Sequence, residues 1–394
     1  MSRDPHIPLI TQTADLTALC EELAAGPYVA LDTEFMRDRS YWPRLCLLQA
    51  ANDDTMAVID PLADDMDLAP LFELLQNEQV CKVFHAARQD VEIFFHLTGQ
   101  IPHPIFDTQI AAMVCGFGDS VGYDKLVERI TRERIDKASR FTDWSRRPLK
   151  ERQLRYAISD VTHLRDVYKW LLAELDREGR ASWLDEEMAT LTDPATYRLE
   201  PDLAWQRLKL RSRNRQYLGV LKEVAAWRER EAQRRNAPRN HVLKDEAIQE
   251  LAAERPHSVD ELRNLRAVPK GYADGRPGNE LVAAVQAGLD LPKADIPNPV
   301  HQPVPRKGLG PTIDLLKVLL KHKAEQHGVA TKLVATVSDI EKLAISPDAD
   351  VPALRGWRRQ IFGDDALALR RGELALAAHG GQVRLIRLDT DQAD

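Results

Sequence analysis

The apolar run Tyr28-Val29-Ala30-Leu31 leads directly into Asp32-Thr33-Glu34-Phe35, and no other segment narrows the possible folds as much. A short, continuous apolar stretch fits a strand covered on both faces, as in the middle of a sheet. Residues two apart on a strand point the same way, so Asp32 and Glu34 present two carboxylates side by side. Like charges at that spacing raise each other's pKa unless a cation compensates, and carboxylate oxygens suit a hard divalent ion such as magnesium or manganese. A solvated strand edge carrying two acids is the plainer alternative, and for Asp-x-Glu alone the better one. The apolar lead-in shifts the balance toward the metal.

Around this segment the chain reads as mixed α/β. Leu45–Gln49 and Ala57–Ile59 follow at short range, which predicts an antiparallel meander rather than strict βαβ alternation. Leu68–Leu75 reads as a short helix with Pro70 in its first turn, Cys81–Phe84 as a strand, and Gln89–Leu97 as a helix. From Leu149 to Leu175, apolar residues recur at helical spacing. Asp193-Pro194 and Glu200-Pro201 break that pattern, closing a first unit near residue 200. With 394 residues, two or three domains are expected, and no apolar run approaches the roughly 20 residues of a bilayer crossing. The cysteines Cys20, Cys46, Cys81 and Cys115 form no C-x-x-C pair and read as buried apolar side chains. No secretory signal is visible in MSRDPHIPLI, so a reducing cytoplasm is the expected compartment.

Two further acids stand in suggestive settings. Asp90 opens a helix after the strand Val83-Phe84-His85, where the helix dipole alone would favour an acid. Tyr156 and Asp160, four apart, share a helix face beside the apolar stripe, which fits either a buried tyrosine bonded to an acid or a reactive pair. Asp107 reads as the cap of the following helix.

Taken in order, these segments resemble the exonuclease motifs of the DEDD superfamily of 3′-to-5′ exonucleases. Arg39-Ser40-Tyr41-Trp42-Pro43, His85-Ala86, Asp107-Thr108-Gln109, Thr142-Asp143-Trp144 and Arg147-Pro148-Leu149 are similar to ribonuclease D in particular. Trp227-Arg228-Glu229-Arg230-Glu231 through Pro238-Arg239-Asn240 resembles the HRDC module shared with helicases. The resemblance implies an RNase H-like exonuclease domain at 1–200, a mixed sheet flanked by helices, followed by two small all-α HRDC-like domains at 201–293 and 294–394. It carries metal-binding roles onto Asp32, Glu34, Asp90 and Asp160, and a water-orienting role onto Tyr156, as in the tyrosine subclass. The histidine subclass would need His where this chain has Arg155, so His85 is expected to pack behind its strand and His163 to lie on a helix surface.

The activity so implied is 3′-to-5′ trimming of tRNA precursors, with two divalent ions (Mg2+ or Mn2+) and release of nucleoside 5′-monophosphates. No membrane and no obligate protein partner is implied. The alternatives are a DNA exonuclease, or a non-catalytic RNA-binding protein with a vestigial site.

Beyond Pro201 the sequence reads as short helices: Trp205–Arg235, Lys244–Ala253, Ser258–Leu265 with a Ser-x-x-Glu capping box, and Glu280–Ala287. A proline-rich connector at 291–305 leads to Thr312–His327, Thr336–Leu343, Ala353–Ile361 and Asp364–Arg371, then a short polar-ended tail from Gln382. Within a chain of net charge -7, residues 201–240 hold eleven basic residues against four acids. Arg228 to Arg235 alternate with glutamates and read as a solvated face. Lys209, Arg211, Arg213 and Arg215 stand apart from acids along the chain and are the better candidates for RNA phosphates. Trp205, Tyr217 and Trp227 read as core.

Overall fold

The computed structural model describes residues 7–136, 138–140, 142–298 and 308–388. Residues 1–6 and the connector prolines Pro299, Pro303 and Pro305 lie outside them.

Six strands form the sheet: Leu9–Ile10 (β1), Tyr28–Met36 (β2), Arg44–Ala51 (β3), Met56–Ile59 (β4), Cys81–Phe84 (β5) and Ile105–Asp107 (β6), in the order β1-β4-β3-β2-β5-β6. β2, β3 and β4 make the expected antiparallel meander, while β2-β5, β5-β6 and β1-β4 pair in parallel. β2 is central, and Val29, Ala30 and Leu31 are wholly buried. Its parallel pairing with β5 ends at Ala30, so Asp32 to Met36 run on beside β3 alone. A crevice opens there, at the carboxyl ends of β2 and β5, where the sheet changes from antiparallel to parallel neighbours.

Helices cover both faces. Thr13–Ala24 (α1), Ala69–Gln76 (α2) and Arg88–Thr98 (α3) pack over one, sharing a core with Val29, Leu31 and Leu48. Over the other lie Thr108–Val114 (α4), Tyr123–Thr131 (α5) and the long helix Glu151–Glu178 (α6), in a core with Tyr28, Ala30 and Leu47. The start of α6 is tied to the sheet by Arg147, which donates to both carboxylate oxygens of Asp60 (2.6 Å each) and to the Cys46 carbonyl (2.7 Å).

After Asp185–Leu191 (α7), the expected helix over Trp205–Arg235 is interrupted. Pro201–Arg207 forms a 3-10 turn, residues 208–214 are not helical, and helix Arg215–Arg235 (α8) starts only where Asn214 caps the amides of Gln216 and Tyr217. Arg239–Val242 (α9), Asp245–Glu254 (α10), Val259–Arg263 (α11) and Arg276–Leu289 (α12) complete a helical unit. Tyr217 and Trp227 are buried in its core, with Trp205 packed against it. The basic stretch of α8 is a solvated face only in part: Arg230, Arg234 and Arg235 are exposed, whereas Arg228, Glu229 and Glu231 are buried. Arg228 pairs with Asp245, Glu229 with Arg239, and Glu231 with Arg234, Arg235 and Arg276, the last from α12. Buried charges persist only when paired in this way.

The third unit holds Gly310–His327 (α13), Thr331–Val334 (α14), Val337–Ile345 (α15), Gly356–Arg358 (α16) and Asp364–Arg371 (α17). It is not all-α. Leu374–His379 (β7) and Gln382–Arg387 (β8) form an antiparallel hairpin across Gly380-Gly381, both at positive φ as a two-residue turn requires. The alternation in Leu-Ala-Leu-Ala-Ala was the signal for this strand.

α8 and α12 cross at Gly219 and Gly288, where a Cβ on Gly219 would lie 2.2 Å from the Gly288 carbonyl oxygen. Gly219→Ala should therefore destabilise the chain by roughly 1–3 kcal/mol, seen as a lower urea midpoint. An unchanged midpoint would mean that the crossing opens freely.

Candidate active site

The alternation of β2 sets up the site. Tyr28 and Ala30 face the core under α6, so Asp32 and Glu34, in the same register, face that side too. Asp160 on α6 meets them, and oxygens of Asp32, Glu34 and Asp160 lie within 4.8 Å of one another. Asp90 arrives from the other layer, in the first turn of α3, and accepts a hydrogen bond from Thr33 Oγ1 at 2.5 Å. It stands outside the tight trio yet lines the same cavity of about 490 Å3, along with Tyr156, Tyr123, His85 and Arg140. Tyr156 lies four residues before Asp160 on α6, and both line the cavity.

Several side chains around the trio escaped the sequence reading. Gln49 is fully buried on β3, directly across from Asp32. With its amide turned so that the nitrogen faces Asp32, the orientation that the surrounding acceptors require, it donates to the Asp32 carbonyl (2.8 Å) and to Asp32 Oδ2 (3.2 Å). A lone polar residue inside Leu45–Ala51 was the available signal, since a buried amide must find partners. Tyr123 donates to the Asp160 carbonyl, joining α5 to α6 beside the acids. Asp107 caps α4 as expected, but it also accepts from the amides of Ala86 (3.0 Å) and Ala87 (2.8 Å). That holds the turn ahead of α3, where Ala86 takes a φ of 58°, and so aims Asp90.

Two histidines differ from expectation. His85 does not pack behind its strand; it lines the cavity, with Nδ1 3.0 Å from Thr108 Oγ1, and burial pushes its pKa down to about 4. His163 is not a surface residue: it is half-buried on α6, Nδ1 3.4 Å from a Glu133 carboxylate oxygen. Lys209, Arg211 and Arg213 lie in the exposed segment before α8, Arg215 at its start, and none of the four lines the acidic cavity.

Burial raises the pKa of all four acids, and crowding adds to it at Asp32, Glu34 and Asp90. Burial, then the Asp32 charge, pushes Glu34 up to about 10 and Asp90 up to about 8. Asp32 is raised by burial and by Asp160. Asp160 rises only to about 7, because burial is opposed by the Tyr156 hydroxyl and Arg140. A divalent cation fits this all-oxygen, mutually repelling donor set better than any arrangement without one.

Residues 7–176 match the 3′-5′ exonuclease family, and residues 218–285 the HRDC domain. The ribonuclease D of Granulibacter bethesdensis is 53% identical over 391 residues, covering 98% of each chain. That of Nitrobacter hamburgensis is 53% identical over 375 residues, 95% of this chain and 98% of the relative. The chain belongs to the ribonuclease D family. The crystal structure of Escherichia coli RNase D, described as an exoribonuclease involved in structured RNA processing, superposes with a TM-score of 0.80 at 31% identity, over 93% of this chain and 99% of that one. As a member of this family the chain is a 3′-to-5′ exoribonuclease, and the family's chemistry uses divalent metal. Among the described residues, no helix is long and apolar enough to cross a membrane.

A divalent cation taken up by this donor set would displace protons from acids whose pKa values are raised. Between pH 8 and pH 6, binding of Mn2+ should weaken progressively. Calorimetry in buffers of different ionisation enthalpy should report proton release on binding; affinity independent of pH would contradict the protonated resting state.

Proposed function

We propose that Asp32, Glu34, Asp90 and Asp160 hold two divalent ions, Mg2+ or Mn2+, and that the enzyme trims the 3′ ends of tRNA precursors in the cytoplasm. The observation that carries this reading is the convergence of three carboxylates from two elements within 4.8 Å. Asp32, Glu34 and Asp160 would share one ion, and Asp32 with Asp90 the other. When bound, the ions supply an activated water and neutralise charge on the departing 3′ oxygen.

The chain's own groups do the rest. Burial and the neighbouring acids hold the Tyr156 hydroxyl well above the ordinary phenol range, so at neutral pH it keeps its proton and serves as a donor rather than a base. Beside Asp160 in the cavity, it would orient the attacking water. Gln49 fixes the Asp32 carboxylate, and Thr33 fixes Asp90. Hydrolysis in line would release nucleoside 5′-monophosphates from a free 3′ end.

The proposed division of labour assigns the chemistry to residues 1–200 and the holding of structured RNA to helical domains at 201–293 and 294–394. The match to the HRDC domain supports the first of these.

A precursor tRNA with extra 3′ nucleotides, incubated with Mg2+ and then with chelator, tests the substrate and the metal together. Trimming that stops with chelator supports the reading; an untouched precursor would remove tRNA from it. Asp160→Asn should retain the fold and lose activity about 100-fold or more, since even outer-shell changes cost 10–100-fold. Tyr156→Phe deletes one hydrogen bond and should cost about tenfold. A larger loss for Tyr156→Phe than for Asp160→Asn would reverse these roles.

A further inference from the structure

The acidic cavity does not end at Glu34. Its walls include Glu34 and Phe35 of β2 on one side and Ile135 and Arg140 of the segment before α6 on the other. A second hollow of about 620 Å3 begins at the next residue, Met36, and is walled by the continuation of the same two segments, through Arg44 and Arg146. The second hollow, hereafter the trough, thus lies where the two chain segments that wall the first run on, Phe35 to Met36 and Arg140 to Asp143. Its far end reaches Asn236 at the end of α8, whose side chain accepts from the amides of Tyr41 (3.1 Å) and Trp42 (3.0 Å).

Where the first hollow is walled by acids, the second carries three arginines, Arg39, Arg44 and Arg146, against two acids, Asp38 and Asp143. The Arg39 and Arg146 side chains are 94% and 84% exposed. Each meets an acid close by in the chain, Asp38 at 3.8 Å and Asp143 at 3.1 Å. Such solvated pairs are worth little and exchange readily for a phosphate. Arg44 is exposed and makes no ion pair among the described residues. Between them stands an aromatic ledge, Trp42 stacked on the exposed ring of His96 (centroids 4.2 Å apart, planes 9° apart). Guanidinium groups beside an exposed aromatic surface are the recurring means of holding a nucleic-acid single strand without reading its sequence.

We propose that this trough carries the single-stranded RNA immediately upstream of the terminal nucleotide, with Arg39, Arg44 and Arg146 on its phosphates and the Trp42–His96 ledge against a base. This rests on the catalytic reading of the acidic cavity. It moves the nearest RNA contacts away from Lys209, Arg211, Arg213 and Arg215, none of which lines either hollow. A strand held here arrives at the acids from the side where the helical unit is joined to the sheet.

The test compares two substrates with Mg2+ present: a single-stranded RNA of about ten nucleotides, long enough to fill such a groove, and the p-nitrophenyl ester of a nucleoside 5′-monophosphate, which fills only the acidic cavity. In the full chain carrying R44A and R146A together, the ratio of kcat/KM for RNA to that for the ester should fall at least about tenfold. The dependence of RNA KM on salt should become shallower by about 0.7 for each phosphate deprived of its arginine. A ratio equal to that of the unaltered chain, or an equal loss on both substrates, overturns the trough proposal. If the unaltered chain cleaves neither substrate, the catalytic reading fails instead.

Discussion

Carboxylate repulsion is the constraint around which this protein is organised. At a separation of 4.8 Å, two like unit charges repel by about 3 kcal/mol even at an effective dielectric of 20. Strand β2, paired over its carboxyl half with β3 alone, cannot rotate Asp32 and Glu34 away without breaking its ladder. Helix α6 brings Asp160 against them because its apolar stripe is buried on the sheet and its start is held by the Arg147–Asp60 bridge. Burial and mutual repulsion raise the pKa values of Asp32, Glu34 and Asp90, a cost that a bound cation would relieve. Rigidity thus comes from the apolar layers, while the site itself is a place of stored electrostatic cost.

The helical units are built into the exonuclease fold rather than hung from it. Tyr41, in the loop between β2 and β3, gives its hydroxyl to buried Glu229, which also holds Arg239. On the opposite flank, buried Arg358 reaches Glu187 (2.5 Å), Glu186 and the Leu333 carbonyl (2.7 Å). Trp357 stacks on Trp183, with centroids 4.2 Å apart. Asp119 accepts from Thr331 and from the Lys332 amide, and one apolar cluster runs from Val114 and Leu184 into Leu316 and Phe362.

Much of the site was legible because it follows from strand and helix periodicity. The alternation in β2 put Asp32 and Glu34 on one face, and the four-residue spacing put Tyr156 beside Asp160. Asp90 was legible as a helix-opening acid, but its approach from the opposite layer depends on strand order, which local sequence does not specify. Gln49, Tyr123 and the second role of Asp107 are cross-element contacts and follow only once β3, α5 and β6 are arranged. The charge pattern of α8 misled for a related reason. Alternating Arg and Glu reads as solvated when seen alone, whereas α9, α10, α12 and the exonuclease loop supply partners that bury Arg228, Glu229 and Glu231. The Gly380-Gly381 hairpin was plain in the sequence; the run of helices before it drew the reading toward an all-α unit.

The stacked tryptophans have a wider implication. Trp183 belongs to the exonuclease half and Trp357 to the third unit, and each covers the other's indole face. A chain ending before Gly310 would bare Trp183 together with the apolar surface around Val114 and Leu184, and would leave Glu186 and Glu187 without their guanidinium. A nuclease half isolated in that way would present an apolar flank to solvent, which the third unit covers in the full chain.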